Sequence, residues 1–162
     1  SKFCLVGALQ FLPSLRRNRP ALHRTLGRLV AAAGCVSALT GFWMTVSYLF
    51  PDALQGPLLY WARVTLSLSM VAFIAWAIVA IRARKPAAHQ AAMLRAYAIG
   101  QGASTQTALF LIALIFMKSE PLGLVRDLVM VGAWGINLAV AEFVIRRTFA
   151  PRRLPVAISS RP

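Results

Sequence analysis

The chain has 162 residues, of which 59% are hydrophobic and 14% are charged, and its 18 Lys and Arg against 4 Asp and Glu give a net charge of +14. A soluble domain has about 45–50% apolar and about 25% charged residues, so this composition excludes an ordinary water-soluble fold, and its hydrophobicity excludes a disordered chain. The basic residues stand in short clusters between long apolar stretches, which argues against a nucleic-acid partner. The composition predicts a polytopic membrane protein.

Five apolar segments follow one another along the chain, at residues 1–12, 20–50, 57–81, 86–117 and 121–145. The last four exceed the roughly 20 residues that a membrane helix needs, and a backbone in lipid must satisfy its own hydrogen bonds, so each is predicted to be helical. The first is too short to span, and we interpret it as a truncated helix. The predicted fold class is an all-α polytopic transmembrane helical bundle of about five helices over residues 1–150, with a basic cytoplasmic tail at 151–162.

Basic clusters occupy every second connection between the predicted helices, and the tail is basic as well. The intervening connections, which hold Asp52 and the pair Lys118 and Glu120, are nearly neutral. Because cytoplasmic loops carry the excess of Lys and Arg, this alternation predicts that the C-terminus is cytoplasmic. The cluster residues are Arg16, Arg17, Arg19, Arg24, Arg28, Arg82, Arg84, Lys85, Arg146, Arg147, Arg152, Arg153 and Arg161.

The two histidines of the chain, His23 and His89, occupy equivalent positions. Each ends a Pro-Ala-x-His motif that follows a basic cluster and opens a helix from the cytoplasmic side. Imidazole is the commonest metal ligand, so one interpretation is that the two side chains converge on one b-type haem or a divalent metal ion, with Met93 as a further candidate ligand. Two other interpretations stay open: interfacial histidines that bond lipid phosphates or loop carbonyls, and a proton relay.

Charged residues inside the apolar segments need a partner or a cavity, because lipid does not solvate them. Arg95 and Glu142 have similar depths below the cytoplasmic ends of their helices and are predicted to pair, forming a polar cluster with the histidines. Arg63 and Asp127 are a second expected pair, closer to the exterior. Arg126 is expected to extend to the outer head groups.

The fourth segment is unusually polar at its centre, residues 100–107 (GQGASTQT). Small residues let helices approach closely, and amide and hydroxyl groups bond across them, so one interpretation is helix packing against a small-residue stripe at Ala33, Ser37 and Gly41. The other is a pocket for a ligand, quinone or pigment. Its predicted lining is Gln101, Ser104 and Thr105, with Trp134, Gly135 and Asn137 facing the same space.

Signatures of common enzyme classes are missing from the sequence. There is no GxSxG, HExxH, GxxxxGK[ST] or GxGxxG pattern, and four acidic residues leave little for hydrolysis or phosphoryl transfer. Cys4 and Cys35 lie in apolar runs without metal-binding spacing and are interpreted as small buried hydrophobes. We therefore do not expect an enzyme.

Several segments resemble one known family. They are residues 7–13 (GALQFLP), 15–17 (LRR), 22–24 (LHR), 26–28 (LGR), 93–98 (MLRAYA) and, more weakly, 137–142 and 146–147. The chain resembles the bacterial predicted-membrane-protein family of domain of unknown function two-three-zero-six. The resemblance implies a multi-pass protein of the bacterial inner (cytoplasmic) membrane, and it implies no particular activity.

Three functions follow from these observations. The first is a non-catalytic accessory subunit that packs against partner subunits of a larger respiratory or photosynthetic membrane complex. The second is a small membrane redox protein that holds haem b or a metal between His23 and His89. The third is a transporter, which intramembrane charges and a repeated motif would suit.

Overall fold

The computed structural model describes residues 18–149, and those residues form helices without any strand. The helices are α1 (Pro20–Ser47), α2 (Pro57–Arg82), α3 (Pro86–Gly100), α4 (Gly102–Met117) and α5 (Gly123–Phe149). Four stretches are long and apolar enough to cross a membrane: α1, α2, α3 together with α4, and α5. The predicted all-α transmembrane bundle is confirmed. The first apolar segment and the basic tail lie outside the described residues.

Prolines begin the first three helices. Pro20, Pro57 and Pro86 each stand at the first helical positions, where the missing N–H costs no hydrogen bond and the fixed φ suits the helix. At the end of α4, Lys118 adopts a left-handed conformation with φ 54°, and Gly123 opens α5 with φ 57°. The chain therefore turns back sharply between α4 and α5.

The two ends of the bundle differ in charge. We call the end where α1 and α3 begin and α2 and α5 finish the basic end, and the opposite end the neutral end. Two connections meet at the neutral end, where the backbone N–H of Gly123 donates to the carbonyl of Ala53 at 2.9 Å. The basic residues described at the basic end are Arg19, Arg24, Arg28, Arg82, Arg84, Lys85, Arg146 and Arg147.

Helix α2 packs between α1 and α3, and α5 packs against α3 and α4. Small buried residues such as Ala77, Ala80 and Ala92 let the helices approach closely, which is how helices associate when lipid offers no hydrophobic driving force. Large apolar side chains are correspondingly exposed around the bundle, because lipid is their solvent. The central cluster consists of Ala38, Met70, Ile74, Ala96 and Ile99.

The sequence predicts one continuous helix over the third span. The structure instead has two helices, α3 and α4, joined at Gln101. Two side chains of α5 donate hydrogen bonds to carbonyls beside the joint. Trp134 Nε1 donates to Ile99 O at 3.1 Å, and Asn137 Nδ2 donates to Ala98 O at 3.3 Å. A break in a membrane helix is tolerated where neighbouring groups satisfy its backbone, so α5 stabilises the joint.

Candidate functional site

His89 lies in the first turn of α3 and is oriented by α2. Its Nδ1 lies 2.9 Å from the carbonyl oxygen of Ala77, which is fully buried. A carbonyl only accepts, so Nδ1 carries the proton, and in the neutral ring the lone pair is then on Nε2. Within residues 18–149 this is the ring's only hydrogen bond. The carbonyl therefore selects the tautomer that has its lone pair on Nε2.

His23 lies half-buried in the first turn of α1, which runs parallel to α3 and contacts it. Ala31 of α1 and Ala96 of α3 belong to the same packed cluster. At 1.5 Å per residue, His23 lies about 12 Å before Ala31, and His89 about 10 Å before Ala96, both towards the basic end. The two histidines thus share a depth on neighbouring helices.

The described part of the chain has no larger group of possible metal ligands. No group of three or more His, Cys, Asp and Glu side chains there has a metal-binding arrangement. Met93 is half-buried on α3, one turn beyond His89. A structural metal site with four protein ligands of these types is thus not formed by residues 18–149.

The predicted pair of Arg95 and Glu142 is present and links α3 to α5. Arg95 donates to Glu142 Oε2 from Nη2 at 2.7 Å and from Nε at 3.2 Å, while Glu142 Oε1 accepts from Arg146 Nε at 3.5 Å. The Arg95 guanidinium also lies 6.0 Å from the centre of the Phe73 ring. The carboxylate of Glu142 thus pairs with two arginines, between the histidines and the middle of the bundle.

The polar centre of the third span packs against α5. Thr105 Oγ1 donates to Asn137 Oδ1 at 2.9 Å, and Gln106 Nε2 donates to the carbonyl of Met130 at 3.2 Å. With the two bonds to Ala98 and Ile99, which precede this stretch, four hydrogen bonds connect the middle of the third span to α5. The GQGASTQT stretch therefore packs by hydrogen bonds against α5, and not against the predicted stripe of Ala33, Ser37 and Gly41 on α1.

Two glycine positions show how closely side chains approach this region. A Cβ atom on Gly102 would overlap the indole of Trp134, whereas a Cβ on Gly135 would meet nothing within 4 Å. Gln101 Oε1 is buried without a hydrogen-bond partner among the described residues, and Ser104 is exposed. Glycine is required at position 102 because a Cβ there would overlap the indole of Trp134, which donates to the carbonyl of Ile99.

A cavity of about 270 Å³ opens between α1, α2, the α3–α4 joint and α5. Its lining differs from the predicted one, since Trp134 borders it but Gln101, Ser104 and Thr105 do not. Two residues of the predicted small-residue stripe, Ser37 and Gly41, border it instead. Its polar lining residues are Ser37, Thr45, Arg63, Ser67, Gln106 and Trp134.

A second, shallower groove of about 380 Å³ separates α2 from α5 on the outside of the bundle. Its walls are apolar, and Gly135 forms part of its floor. The lining residues are Leu58, Trp61, Ala62, Thr65, Leu66, Val131, Trp134, Gly135 and Leu138.

The expected pair of Arg63 and Asp127 does not form. Asp127 is 2% exposed and accepts hydrogen bonds from the backbone N–H groups of Gly56 and Leu59, each at 3.2 Å. A helix N-terminus has unpaired N–H groups and a positive dipole end, so a carboxylate is stabilised there. Arg63 Nη1 donates instead to Gln55 Oε1 at 2.6 Å.

A sequence signal for this capping role exists. Helix α2 begins Gly56-Pro57, and Gly56 has no side chain that could cap the helix. Asp127, which is distant in sequence, supplies the acceptor that Gly56 lacks. The side chain also explains Gly56, because a Cβ there would overlap the carboxylate.

Arg126, expected to reach the outer head groups, folds back onto the bundle at the neutral end. Its Nε donates to the carbonyl of Leu54 at 3.2 Å, and its guanidinium lies 5.0 Å from the centre of the Phe110 ring. Together with Asp127, it joins the start of α5 to the start of α2.

Comparison with known proteins gives one match. The profile of a family described as Predicted membrane protein (DUF2306) matches residues 1–145. No curated protein matches the chain, and no solved structure matches it.

Proposed function

We propose that this chain, which belongs to the DUF2306 family of predicted membrane proteins, holds one b-type haem, or a divalent metal ion, between His23 and His89. The observation that carries the proposal is the 2.9 Å contact between His89 Nδ1 and the Ala77 carbonyl. Histidines that ligate metals donate their other ring N–H to a carbonyl or carboxylate in this way, which fixes the tautomer and the orientation of the ring.

The placement of the pair supports a single site. Both histidines open parallel helices at the basic end, at one depth, so their two imidazoles would hold one group from neighbouring helices. A transmembrane chain of two haems would need a second pair near the neutral end, and the sequence has no other histidine. When bound, the group would supply one-electron chemistry or Lewis acidity, and the chain would supply ligands and orientation.

The test is the visible spectrum and the metal content of the protein purified in mild detergent. We expect a Soret band that sharpens on reduction, or one divalent metal ion per chain, and its loss in His23→Ala and in His89→Ala. Gln90→Ala is the matched control, because it removes a half-buried polar side chain next to His89. Colourless, metal-free protein, or histidine variants that keep the group, would overturn the proposal.

We also propose an accessory role in a larger membrane complex, which a separate observation favours. The apolar groove between α2 and α5 is open along the outside of the bundle, and Trp61 at its edge is 65% exposed. Gly132 and Gly135 on α5 leave their backbone accessible, since a Cβ on either would meet nothing within 4 Å. Exposed glycines allow a helix of another subunit to approach closely.

The accessory role is tested by copurification from solubilised native membranes. We expect the wild-type chain to migrate with larger subunits and Gly135→Leu to release it, because leucine fills the groove floor. Ala75→Leu on exposed α2 surface outside the groove lining is the control and should leave the association intact. A wild-type chain that migrates alone in mild detergent would contradict this role.

A further inference from the structure

Arg63 is a charged residue inside the spanning helix α2 that has no ion-pair partner among residues 18–149. The ion pairs there all involve Glu142, near the other end of the bundle. Asp127 attracts Arg63 and Arg126 repels it, but both Asp127 oxygens are bonded to the start of α2. The one described hydrogen bond of Arg63 is to the neutral amide of Gln55. Among the described residues, Arg63 therefore has no carboxylate in direct contact, although the charge of Asp127 still attracts it, and its guanidinium lies 5.8 Å from the centre of the Phe50 ring.

The guanidinium borders the cavity between α1, α2, the helix joint and α5. A guanidinium has five N–H donors, and the amide of Gln55 occupies one of them. Ser37 and Ser67 also line this cavity, and neither hydroxyl makes a hydrogen bond within the described region. Thr45, by contrast, donates to a carbonyl of its own helix at 2.8 Å. The cavity thus has donors that no protein group uses.

The charged residue of the cavity lining, Arg63, lies at one end of the cavity. Arg63 marks the end nearer the neutral face, and Met70 lies about 10 Å further along α2 at 1.5 Å per residue. Met70 and Ile99 belong to the apolar centre of the bundle. Exposed lining residues, Ser37 and Ala103, show that the cavity opens sideways into the surroundings of the bundle. Lipid-soluble molecules therefore have direct access.

We propose that this cavity binds a single-chain amphiphile with an oxyanion head group, such as the carboxylate of a fatty acid. The head group pairs with Arg63, and the chain runs towards Met70 before leaving through the side opening. Charge-assisted hydrogen bonds from a guanidinium to an oxyanion are about twice as strong as neutral ones, and low dielectric strengthens them further. A volume of about 270 Å³ suits the head and the first part of the chain rather than a two-chain lipid.

The experiment measures binding of radiolabelled oleate to the protein in nanodiscs of neutral lipid. Because hydrogen bonds to charged groups are the strong class, we expect Arg63→Gln to weaken binding about tenfold or more. Lys118→Gln is the matched control, since Lys118 is an exposed cation at the same end and does not line the cavity. It should change binding less than about twofold, within the range of surface charges. Oleyl alcohol, which lacks the charge, should not displace oleate.

Two further variants separate ligand binding from folding. Ala103→Leu should narrow the side opening of the cavity and leave the bond between Arg63 and Gln55 in place. This variant should therefore abolish oleate binding without changing the melting temperature. Gln55→Leu removes that partner but leaves the charge, so binding should persist. Oleoyl lysophosphatidate in place of oleate tells a phosphate head from a carboxylate head, and binding of either through Arg63 supports the proposal. The proposal would be overturned if oleyl alcohol or a neutral quinone bound as tightly as oleate. It would also be overturned if Arg63→Gln and Ala103→Leu both kept the wild-type affinity for oleate.

Discussion

Replacement of Asp127 by alanine should destabilise the bundle more than loss of any other acidic side chain at the neutral end. Asp127 is 2% exposed and accepts two backbone N–H groups at the start of α2, both at 3.2 Å. Alanine leaves both donors buried and unpaired. At about 1–3 kcal/mol for each, with a smaller contribution from the helix dipole, the free energy of unfolding should fall by about 3–5 kcal/mol.

The assay is reversible unfolding in mixed micelles, followed by tryptophan fluorescence and by amide hydrogen exchange. Asp127→Asn keeps one acceptor oxygen and should lose about half as much stability, since one bond and the charge are removed. Exchange at the Gly56 and Leu59 amides should accelerate in both variants. Asp52→Ala, an exposed acid at the same end, is the control and should change stability by less than about 0.5 kcal/mol.

The competing interpretation is an ion pair between Asp127 and Arg63, which the sequence suggested. An ion pair would make Arg63→Gln as destabilising as Asp127→Asn, and the two losses would not add in the double variant. Capping of α2 by Asp127 predicts that Asp127→Asn is the larger loss and that the coupling is weak, because the two charges attract each other without contact. Equal losses in Asp127→Asn and Arg63→Gln, or equal effects of Asp127→Ala and Asp52→Ala, would refute the capping argument.

Three further outcomes follow from other parts of the bundle. Gly102→Ala should lower the free energy of unfolding by about 1–3 kcal/mol, because the new Cβ would overlap the indole of Trp134. Gly135→Ala should be neutral or stabilising, because its Cβ would meet nothing within 4 Å. Equal stabilities of the two variants would show that the indole moves freely. Arg95→Gln and Glu142→Gln should show coupling in a double-mutant cycle of unfolding; additive losses would mean that the ion pair contributes nothing. A reporter tag after Pro162 should be inaccessible from outside intact cells, and labelling there would reverse the predicted orientation.

The two candidate sites stand at opposite ends of one bundle. His23 and His89 lie near the basic end, and Arg63 with its cavity lies towards the neutral end. Helix α2 touches both, because Ala77 orients His89 and Arg63 borders the cavity. The two sites share this helix but no residue, so a substitution in one site leaves the side chains of the other unchanged.

The fold class was predictable because the surroundings impose it. Lipid requires long apolar helices with internally bonded backbone, so residue composition, segment length and proline positions sufficed to predict the four described spans. The Arg95–Glu142 pair was also predictable, since the rise of 1.5 Å per residue converts sequence distance into depth and an uncompensated charge needs a partner at that depth.

What only the tertiary structure decided is which neighbour each polar group meets. The depths estimated from the sequence allowed Asp127 to pair with Arg63. The way in which α2 and α5 pack directs its carboxylate instead to the backbone N–H groups at the start of α2. The joint at Gln101 was likewise hidden, because an apolar stretch is helical by default and its break depends on Trp134 and Asn137 from α5. Composition and periodicity act along one chain segment, whereas caps, joints and cavities depend on side chains far apart in sequence, so their partners emerge only when the helices pack.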